Sequence, residues 1–161
     1  MRQREANSQI SAEIRGVTIL ASRLCMYRDI AGHEDLTERI IQCGMKVHEH
    51  FGPGLLESVY KTCVAFELRE ARFKVDTTRR VPLVYKSLNL EAFYCPDIVV
   101  DDTIIVELKA IATITSVHIA QVVTYLKITN LPVGLLMNFN VSLLKRGVKR
   151  VVRPDLYIRD V

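Results

Sequence analysis

Two acidic residues and a lysine occur close together in the middle of the chain, in segments that are otherwise apolar. Asp97 follows Pro96, and Glu107 and Lys109 flank Leu108 in a later apolar run. If neighbouring strands carry them, the two carboxylates and the Leu108 backbone carbonyl form the all-oxygen ligand set that Mg²⁺ or Mn²⁺ prefers. Lys109 would share a strand face with Glu107, because side chains two residues apart point the same way. Its ammonium group could then position a metal-bound water and stabilise charge on a phosphorane-like transition state.

The alternative for Glu107 and Lys109 is a structural ion pair. A glutamate and a lysine two residues apart arise often by chance, and charged strand residues usually face solvent. Here Ile104, Ile105 and Val106 precede the glutamate directly. An apolar setting favours burial, where both charges need partners. Both interpretations stay open from these residues, and their surroundings favour the functional one.

A second feature is the spacing of Gly54, Glu57 and Tyr60. Glycine and proline end one helix here and begin another, which places Glu57 in the first turn of a helix. The helix dipole favours a carboxylate at that position, so Glu57 could serve only to stabilise the helix. Tyr60 lies one turn further along the same face, where both side chains could line a site.

A third feature is a polar stripe on a predicted helix. His118, Gln121 and Tyr125 are spaced i, i+3 and i+7, so they lie on one side of that helix. An imidazole, an amide and a phenol could contact a phosphate or a base. They could equally form a half-buried seam of hydrogen bonds within the protein.

The positive charge of the chain is concentrated at one end. The chain has 22 Lys and Arg against 18 Asp and Glu, a formal net charge of +4. All of this excess lies within residues 145–161, since the preceding residues are balanced. The bases that could contact phosphates are Lys145, Arg146, Lys149, Arg150 and Arg153. We expect this strip to border the acidic site if it binds nucleic acid, and to be a solvated tail if it does not.

The pattern of apolar residues predicts one α/β domain with a mixed sheet over residues 36–161. Helices are predicted from 36 to the Gly-Pro-Gly segment, at about 55–72 and at about 116–129. Strands are predicted at about 75–85, 90–100, 103–109, 133–139 and 148–153. The first three strands should form an antiparallel meander, and the strand at 133–139 is apolar throughout, as a central strand should be.

The turn between the second and third strands decides whether the acidic residues meet. A tight two-residue turn at Asp101 and Asp102 would put Asp97 on the face opposite to Glu107. The site therefore requires a three-residue loop, which pairs position 97 with 107, or a bulge near Pro96.

Together these features resemble the GxxExxY family of small prokaryotic proteins, placed in the PD-(D/E)XK nuclease-like superfamily. The resemblance extends from about residue 36 to 153, and its segments are HEHFGPGLLESVY, PDIVVDD, IIVELKA and HIAQVVTYLK. It implies a restriction-endonuclease-like core of helix, three-strand meander, helix and strand, here with an extra N-terminal helix. Gln121 and Tyr125 are also similar to the QxxxY motif of RecB-like nucleases.

The resemblance implies a nuclease that uses Mg²⁺ or Mn²⁺ and acts on DNA or, less favourably, on RNA. Asp97, Glu107 and the Leu108 carbonyl would bind the metal, Lys109 would orient the water, and Glu57 would be an outer or second-metal ligand. The helix stripe of His118, Gln121 and Tyr125 would contact substrate, and so would Tyr60. The bases between Lys145 and Arg153 would contact its phosphates. The alternative is a non-catalytic module that binds nucleic acid or protein, and a homodimer is open in either case.

The cysteines and the N-terminal residues set the remaining expectations. Cys25, Cys43, Cys63 and Cys95 include no CxxC pair, which argues against zinc and iron–sulfur sites. A chain of 161 residues with this core does not need disulfides, so reduced thiols in the cytosol are expected. No apolar run approaches the roughly 18 residues of a membrane span. Residues 1–35 are expected to be a poorly ordered or loosely helical extension rather than a signal peptide, with Met26 as an alternative start.

Overall fold

The computed structural model describes residues 33–154, which form four helices and seven strands. The helices are α1 Glu34–Phe51, α2 Glu57–Glu70, α3 Ser116–Thr129 and α4 Leu144–Gly147. The strands are β1 Val75–Asp76, β2 Val81–Tyr85, β3 Leu88–Tyr94, β4 Ile98–Val100, β5 Ile104–Lys109, β6 Val133–Asn138 and β7 Val148–Val152. The expectations for residues 1–32, including the start at Met26, lie outside the described residues.

The central sheet of the described region has the strand order β1-β4-β5-β6-β7. Strands β5 and β6 are parallel and connected by α3, because parallel neighbours need a crossover, and the other pairs are antiparallel. The predicted α/β class with a mixed sheet and an extra N-terminal helix is confirmed. The arrangement is consistent with a restriction-endonuclease-like fold.

The predicted antiparallel order of three strands is present as β1-β4-β5, but the predicted bounds of the first two strands are wrong. The segments 75–85 and 90–100 are each divided, so that β1 and β4 join the central sheet while β2 and β3 form a separate two-stranded hairpin. After β1 the chain turns away, since the Asp76 carboxylate accepts hydrogen bonds from the backbone and hydroxyl of Thr78. Between β3 and β4 stands Pro96, which has no N–H to donate to a partner strand.

Apolar side chains cover both faces of the central sheet. Helices α1 and α2 pack on one face, and the buried residues there include Ile40, Val64, Leu68, Val106 and Leu135. Helix α3 packs on the other, and the buried residues there include Ile105, Val122, Leu126 and Leu136. Successive residues of β5 therefore alternate between the two helical layers. This fixes the face of every polar residue that follows on β5.

No helix between residues 33 and 154 is both long enough and apolar enough to span a bilayer.

Candidate active site

Strands β4 and β5 are joined by a three-residue loop at 101–103. Ile98 pairs with Val106, and Val100, the last residue of β4, pairs with Ile104, the first residue of β5. Asp101 and Asp102 both have positive φ angles, of 50° and 51°. Aspartate tolerates this conformation better than most residues. The three-residue loop that the sequence required for a shared face is confirmed.

Extending this register places Asp97, directly before β4, opposite Glu107. The Leu108 N–H donates a hydrogen bond of 2.9 Å to Oδ2 of Asp97. The other oxygen, Oδ1, lies 3.3 Å from Nζ of Lys61, a residue of α2. The Asp97 carboxylate is thus held at both oxygens, with its side chain 18% exposed.

The Glu107 carboxylate is buried, with only 3% of the residue exposed. Its Oε1 accepts a hydrogen bond of 2.7 Å from Nζ of Lys109. Its Oε2 has no hydrogen-bond partner among the described residues. Burial raises the pKa of Glu107, and the nearby negative charge of Asp97 raises it further. Because Oε2 of Glu107 is buried, it needs a hydrogen-bond donor or a cation beside it.

Lys109 lies between the acidic groups of β5 and α2. Its ammonium contacts Glu107 at 2.7 Å and Oε1 of Glu57 at 3.8 Å, and its side chain is 12% exposed. Burial by itself would lower the pKa of Lys109, but the hydrogen bond from its ammonium to Glu107 and the surrounding carboxylates outweigh it and raise that pKa. Lys109 is therefore a cation at neutral pH.

The turn before α2 is held by a buried phenol. Gly52 and Gly54 have φ angles of 66° and 113°, which glycine adopts without steric cost. The Tyr60 hydroxyl donates to the Gly52 carbonyl at 2.6 Å and accepts from the Leu55 N–H at 3.1 Å. Its ring stacks on Phe139, with the ring centroids 4.3 Å apart. The turn is thereby attached to the helix that it precedes.

This arrangement corrects the expectation that Tyr60 contacts substrate. The residue is 0% exposed, and its hydroxyl bonds inside the protein in both directions. Glu57, the first residue of α2, is half-exposed and reaches Lys109. The Tyr60 hydroxyl thus holds the turn that leads into Glu57.

The stripe on α3 is divided between the site and the start of the helix. Gln121 donates a hydrogen bond of 2.9 Å from Nε2 to the hydroxyl of Tyr125. Burial raises the pKa of Tyr125, and the charges of Glu107 and Asp97 add to that rise, so the phenol lies within electrostatic reach of the carboxylates.

His118 has a different position at the start of α3. Its Nδ1 accepts a hydrogen bond of 2.9 Å from the Thr115 backbone N–H, which caps the helix. One ring nitrogen is therefore engaged within the protein, and only Nε2 remains to meet a ligand.

The basic residues of the C-terminal part do not form one strip. Lys149 pairs with Leu136, which pairs with Glu107, so the lysine shares the row and the face of the glutamate. Two strand spacings separate them, about 10 Å. Lys145 and Arg146 are exposed on α4, directly before β7 and at the same end of the sheet as the acidic site.

The two remaining arginines lie elsewhere. Arg150 pairs with Leu135, so it faces the opposite side of the sheet from Lys149. Arg153 follows β7 at the other end, where its N–H bonds to the Pro132 carbonyl and its side chain bonds to Asn130. The expectation of a continuous basic strip beside the acidic residues is therefore wrong for Arg150 and Arg153, because strand alternation and direction carry them away.

Lys61 is a site residue that the sequence did not reveal. It lies one turn after Glu57 on α2. Lys61 contacts Asp97, and Glu57 contacts Lys109. The i, i+4 spacing of an acid and a base was a signal, but it is typical of any solvated helix face.

The donor set is suited to a hard divalent cation. Asp97 and Glu107 offer oxygens on one face, and the unpartnered Oε2 of Glu107 is the donor best placed to gain from a cation. Across residues 33–154, however, no three His, Cys, Asp or Glu side chains are grouped closely enough to form a complete ligand cluster. The ammonium groups of Lys61 and Lys109 now neutralise the two carboxylates.

Comparison with known proteins identifies the family. The family model of the PD-(D/E)XK nuclease superfamily matches residues 34–151, which include every element from α1 to most of β7. The search of curated proteins found no match, and the search of solved structures found none either. Because the matched segment covers most of the chain, the chain belongs to the PD-(D/E)XK nuclease superfamily.

Proposed function

We propose that this protein is a nuclease that hydrolyses phosphodiester bonds in DNA, with RNA as the less favoured substrate, and that it uses Mg²⁺ or Mn²⁺. The observation that carries the proposal is the Glu107 carboxylate, which is buried opposite Asp97 with Oε2 unpartnered among the described residues. A buried oxygen left in this way costs free energy, which a bound cation would recover. Membership of the superfamily supports the same chemistry.

Each residue of the site then has a role. Asp97, Glu107 and the Leu108 carbonyl would hold the metal, with Glu57 as an outer or second-metal ligand. The bound metal would supply Lewis acidity at the phosphate. Lys109 is protonated at neutral pH, so it donates hydrogen bonds rather than removing a proton. It would orient the attacking water and stabilise negative charge as the new oxygen–phosphorus bond forms and the ester bond breaks.

The substrate would lie along α3 and the near end of β7. Gln121 and Tyr125 are hydrogen-bonded to each other and can position the sugar–phosphate backbone beside the carboxylates. Lys149, with Lys145 and Arg146, would neutralise phosphates on the same side. The spacing of Gly54, Glu57 and Tyr60 at the start of α2 supports the finer assignment to the GxxExxY family.

The proposed compartment is the cytosol. The three cysteines within the described region, Cys43, Cys63 and Cys95, are free thiols. Free thiols are typical of a reducing compartment.

A second candidate function is a binding module without catalysis. It is favoured by one observation, the neutralisation of both central carboxylates by lysines. Lys61 contacts Asp97 at 3.3 Å and Lys109 contacts Glu107 at 2.7 Å. A site closed by ion pairs can be stable without a metal and can still recognise nucleic acid through its remaining cations.

One assay separates these functions. Wild type, Asp97→Ala and Lys109→Ala are incubated with single-stranded, duplex and branched DNA and with RNA, in Mg²⁺, Mn²⁺ or EDTA. The control is Lys46→Ala, which removes a surface pair with Glu67 at 3.2 Å. We expect metal-dependent cleavage that the control retains and both site variants lose by at least about 100-fold.

The other outcomes are equally informative. Cleavage that survives both site substitutions would identify a contaminating nuclease and contradict the proposal. Salt-sensitive binding without cleavage under any metal condition would establish the binding module instead.

A further inference from the structure

The hairpin formed by β2 and β3 projects from the domain with apolar side chains in solvent. All seven residues of β3 are exposed. Among them Leu88 and Phe93 are 57% and 58% exposed, and on β2 Tyr85 is 64% exposed. A two-stranded hairpin is marginally stable by itself, and aromatic residues exposed together usually mark an interaction surface.

The aromatic residues of this hairpin are accompanied by cations. The guanidinium of Arg80 lies 5.5 Å from the centre of the Phe93 ring, and the ammonium of Lys86 lies 5.5 Å from the centre of the Tyr85 ring. Phe93 pairs with Pro82 and Tyr85 pairs with Leu88, with an irregular register between Pro82 and Val84, so an aromatic ring stands beside a cation near each end of the hairpin. Rings that stack with bases, interleaved with cations that meet phosphates, are the combination used to bind single-stranded nucleic acid.

The hairpin is continuous with the acidic site. Tyr94, the last residue of β3, contacts Tyr125 edge to face, with the ring centroids 5.6 Å apart. Tyr125 in turn lies within electrostatic reach of the carboxylates. Only Cys95 and Pro96 separate Tyr94 from Asp97 along the chain, so the hairpin ends about 10 Å or less from the site.

We infer that the hairpin of β2 and β3 binds an unpaired nucleic-acid strand next to the phosphate that the site attacks. This inference rests on the proposed function for its substrate class. Duplex bases stack on one another and cannot present their faces to Tyr85 or Phe93, whereas unpaired bases can. The substrate is therefore a single strand, or a duplex with an unpaired end or branch.

A second copy of the chain is the less favoured occupant. Two hairpins packed together would bring Arg80 and Lys86 of each copy near the same charges of the other, and like charges across an interface are unfavourable. Pro82 also removes an N–H from β2, which weakens pairing between strand edges. Neither the repulsion between like charges nor the missing N–H of Pro82 opposes the binding of a polyanion.

The test measures binding without cleavage. Fluorescence anisotropy in EDTA follows labelled oligo-dT, oligo-U and a blunt DNA duplex binding to the full chain. The variants are Tyr85→Ala and Phe93→Ala, and the matched control is Phe66→Ala, an α2 phenylalanine that is also 58% exposed. We expect each hairpin variant to bind single strands about 5- to 100-fold more weakly, as loss of base stacking predicts. Duplex binding and the Phe66 control should be unchanged, and Phe93→Tyr should bind like wild type.

The inference is overturned if Phe93→Ala and Phe66→Ala bind oligo-dT and oligo-U equally, or if wild type prefers the blunt duplex. It is also overturned if light scattering shows a wild-type dimer that Phe93→Ala converts to a monomer, which would make the hairpin an interface between copies. The two proposals fail separately. Single-strand binding through the hairpin without cleavage in Mg²⁺ or Mn²⁺ would remove the nuclease and keep the inference. Cleavage that Phe93→Ala leaves unaltered would keep the nuclease and remove the inference about the hairpin.

Discussion

Replacing Tyr60 by phenylalanine tests whether this tyrosine positions the start of α2 or contacts substrate. Tyr60→Phe keeps the buried ring stacked on Phe139 and removes only the hydroxyl. That hydroxyl makes two hydrogen bonds, one of 2.6 Å to the Gly52 carbonyl and one of 3.1 Å from the Leu55 N–H. The substitution is therefore a measurement of these two bonds with little change in packing.

The magnitude follows from the burial of the two partners. A buried group that loses its partner costs about 1–3 kcal/mol, but Gly52 and Leu55 are half-exposed, so water can replace part of each bond. We expect the free energy of unfolding to fall by about 1–2 kcal/mol in total. For a chain of this length that corresponds to a decrease of roughly 2–8 °C in Tm.

The assay is urea denaturation, with Tyr85→Phe as the control. Tyr85 is 64% exposed, so its variant should remain within about 0.5 kcal/mol of wild type. The urea dependence of the unfolding free energy should be the same for all three proteins. Equal stability of Tyr60→Phe and Tyr85→Phe would refute the positioning role. A raised KM with unaltered stability would point to the substrate contact instead.

Three further predictions concern other parts of the described structure. Lys61→Met should bind Mg²⁺ or Mn²⁺ about fivefold more tightly than wild type by calorimetry, because the metal no longer displaces an ammonium from Asp97; unaltered or weaker affinity would show that the ion pair does not compete. Asp102 has a pKa lowered to about 2 by hydrogen bonds from two cationic side chains, first that of a lysine and then that of an arginine. The stability advantage of wild type over Asp102→Asn should therefore be complete above about pH 4 and disappear as the pH falls towards 2, and an advantage independent of pH would contradict this account. Gly147→Ala should lower the free energy of unfolding by about 3 kcal/mol in urea, since its Cβ would press against the Asn138 carbonyl oxygen, and a variant as stable as wild type would show that α4 can shift freely.

The grouping of Asp97, Glu107 and Lys109 could be predicted because these residues lie close together along the chain. Glu107 and Lys109 are two residues apart on one strand, so alternation alone puts them on one face. For Asp97 to join them, the sequence required a three-residue loop or a bulge, and the structure shows the three-residue loop at 101–103. Both arguments use only residues that are close in sequence, within β5 or across the connection between β4 and β5.

The division of the predicted strands could not be read from the same patterns. Both 75–85 and 90–100 are rich in residues that favour strands, and propensity does not say which partner a strand will take. The Asp76 turn and Pro96 separate each run into one strand for the central sheet and one for the hairpin. That division also leaves Phe93 exposed, where a continuous meander would suggest a packed position.

What the sequence determined by itself is the α/β class, the nuclease-like superfamily and the shared face of Glu107 and Lys109, since these follow from residue types and short-range spacing. The tertiary structure alone decided that Lys61 reaches Asp97, that Tyr60 is enclosed, and that the basic tail is divided between two faces of the sheet. These contacts join residues from distant parts of the chain. They depend on how α2 packs against the sheet and on the direction of β7, which no local pattern encodes.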